Sequence, residues 1–197
     1  QTSLSLNGDF SKEYPAVALK GVVDSIDVMA LHFASKPLKY HGSIQADFSN
    51  TNPDALQGEL FVTHNIIATD KQRLLIDTVS VQAESGDANR LAVSTGFASL
   101  QLQGQYKLTQ LGDIIQNAIN PYFKISDTVA NKVIEPYQFT LTGQVLNNPA
   151  LKALLPDLEN MQTIKLNSRF DQDSGFNFRL TSPHIHYAAM VVDSLNL

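Results

Sequence analysis

The sequence predicts a mostly β protein, a curved antiparallel sheet forming a groove or an open sandwich, with one or two short amphipathic helices. Three observations predict it. Apolar and polar residues alternate with period two along nearly the whole chain, which puts one kind of side chain on each face of a strand. Short clusters of Ser, Asn, Asp and Gly separate the alternating runs; reversals this short join antiparallel neighbours, since parallel ones need long crossovers. In two segments the alternation gives way to helical spacing.

In chain order, alternating runs cover residues 4–10, 19–28, 40–48 and 56–62. Leu74 and Ile76 then occupy one parity while Val79 and Val81 occupy the other, so a bulge is expected near Asp77 or Thr78. Further runs cover residues 91–97, 100–108, 137–145, 164–170 and 176–180, and residues 191–197 still read as strand. About ten to twelve strands result. Turn chemistry stands between them at residues 11–13, 49–54, 69–71, 84–87 and 171–175. The first helix is expected over residues 108–119, where Leu108, Leu111, Ile114, Ile115, Ala118 and Ile119 share a face until Asn120-Pro121 stops the run. The second covers residues 149–155 and opens on Pro149, whose missing N–H is no loss in a first turn. Both would cap or plug the sheet.

Composition narrows the function classes. Of 197 residues, 43% are hydrophobic and 17% charged, against about 25% charged in an ordinary soluble domain. Gln, Asn, Ser and Thr hold the alternate positions that Lys and Glu usually share, so the wet face is mostly uncharged. The net charge is -5 and no basic block occurs, which leaves no footprint for nucleic acid. Cysteine is absent, removing disulfides, thiolate metal sites and thiol nucleophiles. No apolar run approaches the roughly 18 to 20 residues of a spanning helix. The chain begins in strand-like sequence without a signal peptide, and both ends read as strand. Residues 1–197 are therefore expected to be a single segment of a repeating sheet, cut from a longer chain.

A short word recurs six times: an apolar residue, any residue, glycine, any residue, and usually another apolar one. Its glycines are Gly8, Gly21, Gly42, Gly58, Gly104 and Gly143, each on the apolar parity. A glycine there removes a side chain from the inward face, permitting either a bulge or corner or a hollow interior.

With that word the chain resembles the TamB/AsmA-like family of bacterial envelope proteins (translocation and assembly module, inner membrane component), in its Bacteroidetes-type versions. The likeness is carried best by Phe139-Thr-Leu-Thr-Gly143, Leu151, Leu154 to Leu158, Ile164-Lys-Leu166, Phe176-Asn-Phe178-Arg-Leu180, Ser182-Pro183-His184-Ile185 and Val192-Asp193-Ser-Leu195. Lys36-Pro37-Leu38, Gly42-Ser-Ile44, Ala46-Asp47-Phe48 and Leu56-Gln-Gly58 extend it toward the N-terminus, so nearly the whole chain is covered by degenerate patterns. The resemblance implies a sheet folded along its length, a β-taco, with an apolar trough. It also implies a protein anchored in the inner membrane of a Gram-negative bacterium and crossing the periplasm, with a part in lipid transport, outer membrane biogenesis and outer-membrane protein assembly. The anchor and the outer-membrane-facing region have no counterpart in these residues.

Candidate chemistry is sparse. His184 and His186 share one strand face at a spacing two metal ligands can use, but a third ligand is wanting, and a solvent-facing pair is the better reading. Asp171-Gln172-Asp173-Ser174-Gly175 opens like a calcium loop yet lacks the distal glutamate, which favours a hairpin turn. No nucleophile elbow occurs, and Asp and Glu concentrate in reversals, so no enzyme site and no cofactor is expected.

The apolar faces remain. If two faces close on one another they are ordinary core, as dense interiors favour; if they stay apart, as the resemblance implies, they line a trough for phospholipid acyl chains. The expected lining is Leu100, Leu102, Tyr106 and Leu108, then Tyr137, Phe139, Leu141 and Val145, then Ile164, Leu166, Phe176 and Phe178. Strand pairing with an outer-membrane barrel protein is the alternative role. A carbohydrate-binding or adhesin sandwich would need exposed aromatic platforms, and Trp is absent.

Overall fold

Alternation of this kind folds hairpin by hairpin, and among the described residues it does so through thirteen strands. The computed structural model describes residues 2–27, 29–30, 38–69, 73–76, 78–120, 133–155 and 157–197. In chain order the strands are β1 (Thr2–Gly8), β2 (Val17–Asp27), β3 (Leu38–Asn50), β4 (Gln57–Thr69), β5 (Arg73–Ile76), β6 (Val79–Glu84) and β7 (Asn89–Ser94). There follow β8 (Ala98–Gln105), β9 (Gln138–Val145), β10 (Leu158–Met161), β11 (Ile164–Asp171), β12 (Gly175–Tyr187) and β13 (Met190–Asn196). Helix α1 (Leu111–Ile119) follows β8, and α2 (Pro149–Leu154) follows β9.

All thirteen strands belong to one antiparallel sheet in the order β1-β2-β3-β4-β6-β7-β8-β9-β11-β12-β10, with β5 on β4 and β13 on β12. The register shows four of these strands to be the halves of two interrupted ones. β5 and β6 meet β4 in one unbroken register, Asn65 opposite Ile76 and Val62 opposite Val79. β10 and β11 likewise share one register on β12, Met161 opposite Ile185 and Lys165 opposite Thr181, and the Gln162 N–H donates to the His184 carbonyl at 2.8 Å between them. The path is therefore a meander in which nearly every strand pairs with its predecessor. The expected fold class, a mostly β open antiparallel sheet with short helices, is the one observed. The more extensive strand contacts run between hydrogen-bonded neighbours, so among the described residues no second sheet closes over the first.

The bulge expected near Asp77 or Thr78 does not shift the register of β5 and β6 on β4, and the irregularity lies across the ladder instead. Asp77 lies outside the described residues, but Thr78 falls between β5 and β6, and across the ladder His64 takes a left-handed φ of 55°. There β3 and β4 slip register between His41 and Ser43. The slip turns Asn65 inward, where it is buried and accepts the Tyr40 hydroxyl at 2.6 Å while donating to the Val62 carbonyl at 2.9 Å. Gly58 and Gly104 hold φ of 147° and 137°, a region that only glycine occupies without strain. The expected turn residues Asp70 and Lys71, the helix stop at Pro121, and Val28, Lys36 and Pro37 lie outside the described residues.

The helices sit where the spacing placed them. Asn148 caps α2 by accepting the Ala150 N–H at 2.8 Å, with Pro149 in the first turn. A 3-10 turn, Leu108–Gln110, leads into α1, and Asp54 receives both the N–H and the hydroxyl of Thr109 at 2.9 Å. Each helix covers part of the apolar face. Ile114 of α1 is buried with Leu102, Tyr106, Phe139 and Phe170. Leu151 of α2 is buried with Leu158 and Met161, against Phe97, Val145, Ile164 and Ile185.

Candidate apolar groove

Cross-strand register sorts the apolar face of β7, β8, β9, β11 and β12 into rows. The first row runs Gly104, Phe139, Phe170, Phe176, and its rings stack: Phe139 on Phe170 at 4.9 Å between centroids, Phe170 on Phe176 at 5.9 Å. The second runs Leu91, Leu102, Leu141, Ser168, Phe178. The third runs Val93, Leu100, Gly143, Leu166, Leu180. The fourth holds Ala98, Val145 and Ile164.

The core beneath α1 takes in most of the first two rows, and the core beneath α2 takes the end of the fourth. The third row is left between them. Here an apolar groove of about 320 Å³ opens, walled by Val93, Leu100, Val145, Ile164, Leu166 and Leu180. Its volume lies at the small end of the usual range for ligand sites, roughly 300 to 1,000 Å³. Gly143 stands at its centre. Leu100 leans over that glycine, so that an added Cβ would lie 3.2 Å from the Leu100 Cδ1, and Leu100 remains 42% exposed.

The twelve expected lining residues thus fall into three groups. Leu102, Tyr106 and Phe139 are buried, and Leu108, Tyr137, Leu141 and Phe176 pack against them under α1. Burial pushes the Tyr106 hydroxyl up to about 12. Leu100, Val145, Ile164 and Leu166 border the open groove. Phe178, 40% exposed, lies outside it on the β12 side. Val93 and Leu180 line the groove as well and were not singled out, although the parity of their strands points both inward. Of the six glycines, Gly143 opens the groove, whereas Gly21 lies beneath Leu4 and Ile44, and Gly42 beneath Tyr40.

The histidine pair forms two separate contacts with carboxylates from neighbouring strands. His184 Nδ1 lies 2.5 Å from Asp193 on β13, and His186 Nδ1 lies 3.1 Å from Glu159 on β10. Among the described residues no group of three or more His, Asp or Glu is arranged to hold a metal ion. Residues 171–175 form the β11–β12 hairpin: Asp171 accepts the N–H groups of Asp173 and Ser174, both at 3.0 Å, and Gly175 follows at φ 83°. With the Gln138 amide 2.8 Å from its other oxygen, these bonds hold the Asp171 carboxyl down at about 2.

Comparison of the chain with protein-family models, with curated proteins and with solved structures returns no match.

Proposed function

We propose that this chain shelters the acyl part of a lipid in the groove over Gly143. It would act as a periplasmic stretch of an AsmA-like bridge that passes phospholipid between inner and outer membranes in the cell envelope. The observation that supports the reading is a row of apolar side chains left uncovered between two helix-capped cores, with a glycine at the middle of the row. Burying an acyl chain there contributes about 0.8 kcal/mol per methylene, so several methylenes hold a lipid without polar recognition. No side chain needs to act chemically. The bridge, the periplasm and the membranes come from the family resemblance, and the groove is what the resemblance would require of this segment.

The test is lipid mass spectrometry on the chain purified from bacterial cells, beside binding of a fluorescent fatty acid. Leu100→Asp and Leu166→Asp are expected to lose the lipid with the far-ultraviolet spectrum intact, because both residues border solvent. Leu102→Asp is expected to unfold, since it leaves an unpaired charge in the core beneath α1. A wild-type chain that carries no lipid and binds no fatty acid overturns the reading.

A second role rests on β1. Its residues carry neither charge nor proline, the usual guards of a sheet edge, and Leu4 and Leu6 are 68% and 53% exposed. Such an edge suits strand pairing with an outer-membrane barrel protein. Crosslinking from position 3 during titration with an unfolded barrel protein would capture that partner, and the same crosslinking chain carrying Ser5→Pro would not.

A further inference from the structure

The face opposite the groove has its own hollow. On β7 to β12 the alternate residues form two polar rows across five strands: Ser94, Ser99, Gln144, Lys165, Thr181, and Ala92, Gln101, Thr142, Asn167, Arg179. They border a trough of about 490 Å³. A second hollow of about 740 Å³ adjoins it, sharing Lys165 and Thr181 and continuing past Thr163, Ser182 and Asn196. Among the described residues no carboxylate lines either hollow, in a chain whose net charge is -5. That leaves a local excess of cation on this face.

The cations of this face are also unspent. Arg169, one row further along, leans on Asp171 at 3.6 Å. Lys165 and Arg179 have no ion pair and no side-chain hydrogen bond among the described residues, and neither do Gln101, Gln144 and Asn167 beside them. Lys165 faces Thr181 and Asn167 faces Arg179, so the two cations are diagonal neighbours on adjacent strands, somewhat under about 7 to 8 Å apart at Cβ. A tetrahedral oxyanion can sit between an ammonium and a guanidinium so placed, the guanidinium giving two parallel N–H donors. The amides and hydroxyls around it both donate and accept, which matches a polyol. Among the described residues no aromatic ring lines either hollow, so stacked bases or stacked neutral sugars find no platform there.

We infer that this trough binds a phosphate ester of a polyol, with Lys165 and Arg179 on the phosphate and Gln101, Gln144 and Asn167 on the hydroxyls. The ligand is either a free compound or the head group of a lipid. The site lies on the other face of the same strands as the acyl groove, Val93, Ser99, Leu100, Gly143, Gln144 and Leu166 bordering both hollows, and the inference does not require the groove to hold a lipid.

Calorimetric titration of the whole chain with glycerol 3-phosphate, and flotation with vesicles of phosphatidylglycerol or phosphatidylcholine, tests it. Lys165→Gln and Arg179→Gln are exposed substitutions, and each is expected to weaken binding at least tenfold, in line with a charge-assisted hydrogen bond of about 1.5 to 3 kcal/mol. Lys20→Gln, the same charge change on the polar face of β2, is expected to bind like the wild type. Binding of glycerol 3-phosphate alone identifies a free ester as the ligand, and binding of phosphatidylglycerol vesicles alone identifies a head group. The inference fails if neither binds, if Lys20→Gln weakens binding as much as Lys165→Gln, or if duplex DNA displaces the ester.

Discussion

Phe139 lies directly opposite Phe170 across β9 and β11, and their rings stack 4.9 Å apart with 19° between planes. The stack continues to Phe176 and meets Tyr106 edge-on at 5.8 Å, so one row of aromatic side chains runs beneath α1. Phe139 is 2% exposed. Replacing it with alanine is expected to cost about 3 to 5 kcal/mol, as for other buried aromatic rings. Leu100→Ala, two rows from the stack and at the groove, should stay within about 1 kcal/mol because its side chain is already half in water. Urea unfolding followed by circular dichroism gives both values.

Gly104 and Gly143 carry the same sequence word but do different things. At Gly104 an added Cβ would strike the Gln138 carbonyl, and φ is 137°. Gly104→Ala is expected to lower stability by about 1 to 3 kcal/mol. At Gly143 the nearest atom to an added Cβ is the Ser99 carbonyl oxygen at 3.1 Å, which a small shift relieves. Gly143→Ala should therefore cost less in thermal unfolding while reducing fatty-acid binding, since it fills the groove floor.

Asn148 both caps α2 and donates from its amide to the Gly96 carbonyl at 3.3 Å. Asn148→Ala is expected to cost about 1 kcal/mol. Because α2 covers Leu158 and Met161, the amides of β10 should show the greatest rise in hydrogen exchange.

Asp171 fixes a pH window. Its folded-state value of about 2 lies below the ordinary 3.8, first through the Ser174 N–H, then through the Gln138 amide. A depressed carboxyl contributes stability that is full above its unfolded value and is lost as pH falls through the folded one. Melting temperature should thus drop between about pH 4 and pH 2, and Asp171→Asn should melt lower at pH 7 with a flatter profile through that range. Parallel profiles for the two chains would remove Asp171 as the cause.

The strands were legible because their side chains report locally which way they face. The alternation at Leu100 to Tyr106 and at Phe139 to Val145 states the parity without knowledge of any partner, and helical spacing at Leu111, Ile114 and Ile115 states a covered face. What the sequence could not say is which rows those helices would cover. Leu102 and Leu100 are two residues apart on one face, yet one lies in a core and the other at the open groove, because α1 ends its reach between them. Asn65 was hidden for a related reason: a polar residue on the inward parity reads as a break until register brings the Tyr40 hydroxyl to it. Glu159 and Asp193 became partners of His186 and His184 only through the ladders of β12, which no spacing along the chain reveals.

A sheet in which each strand answers mainly to the strand beside it is organised more like a zip fastener than a globule. Strands could be added at an end, or peeled from one, while the rows over Gly143 kept their arrangement. Length is then a quantity that such a sheet can vary at little cost to the strands already paired.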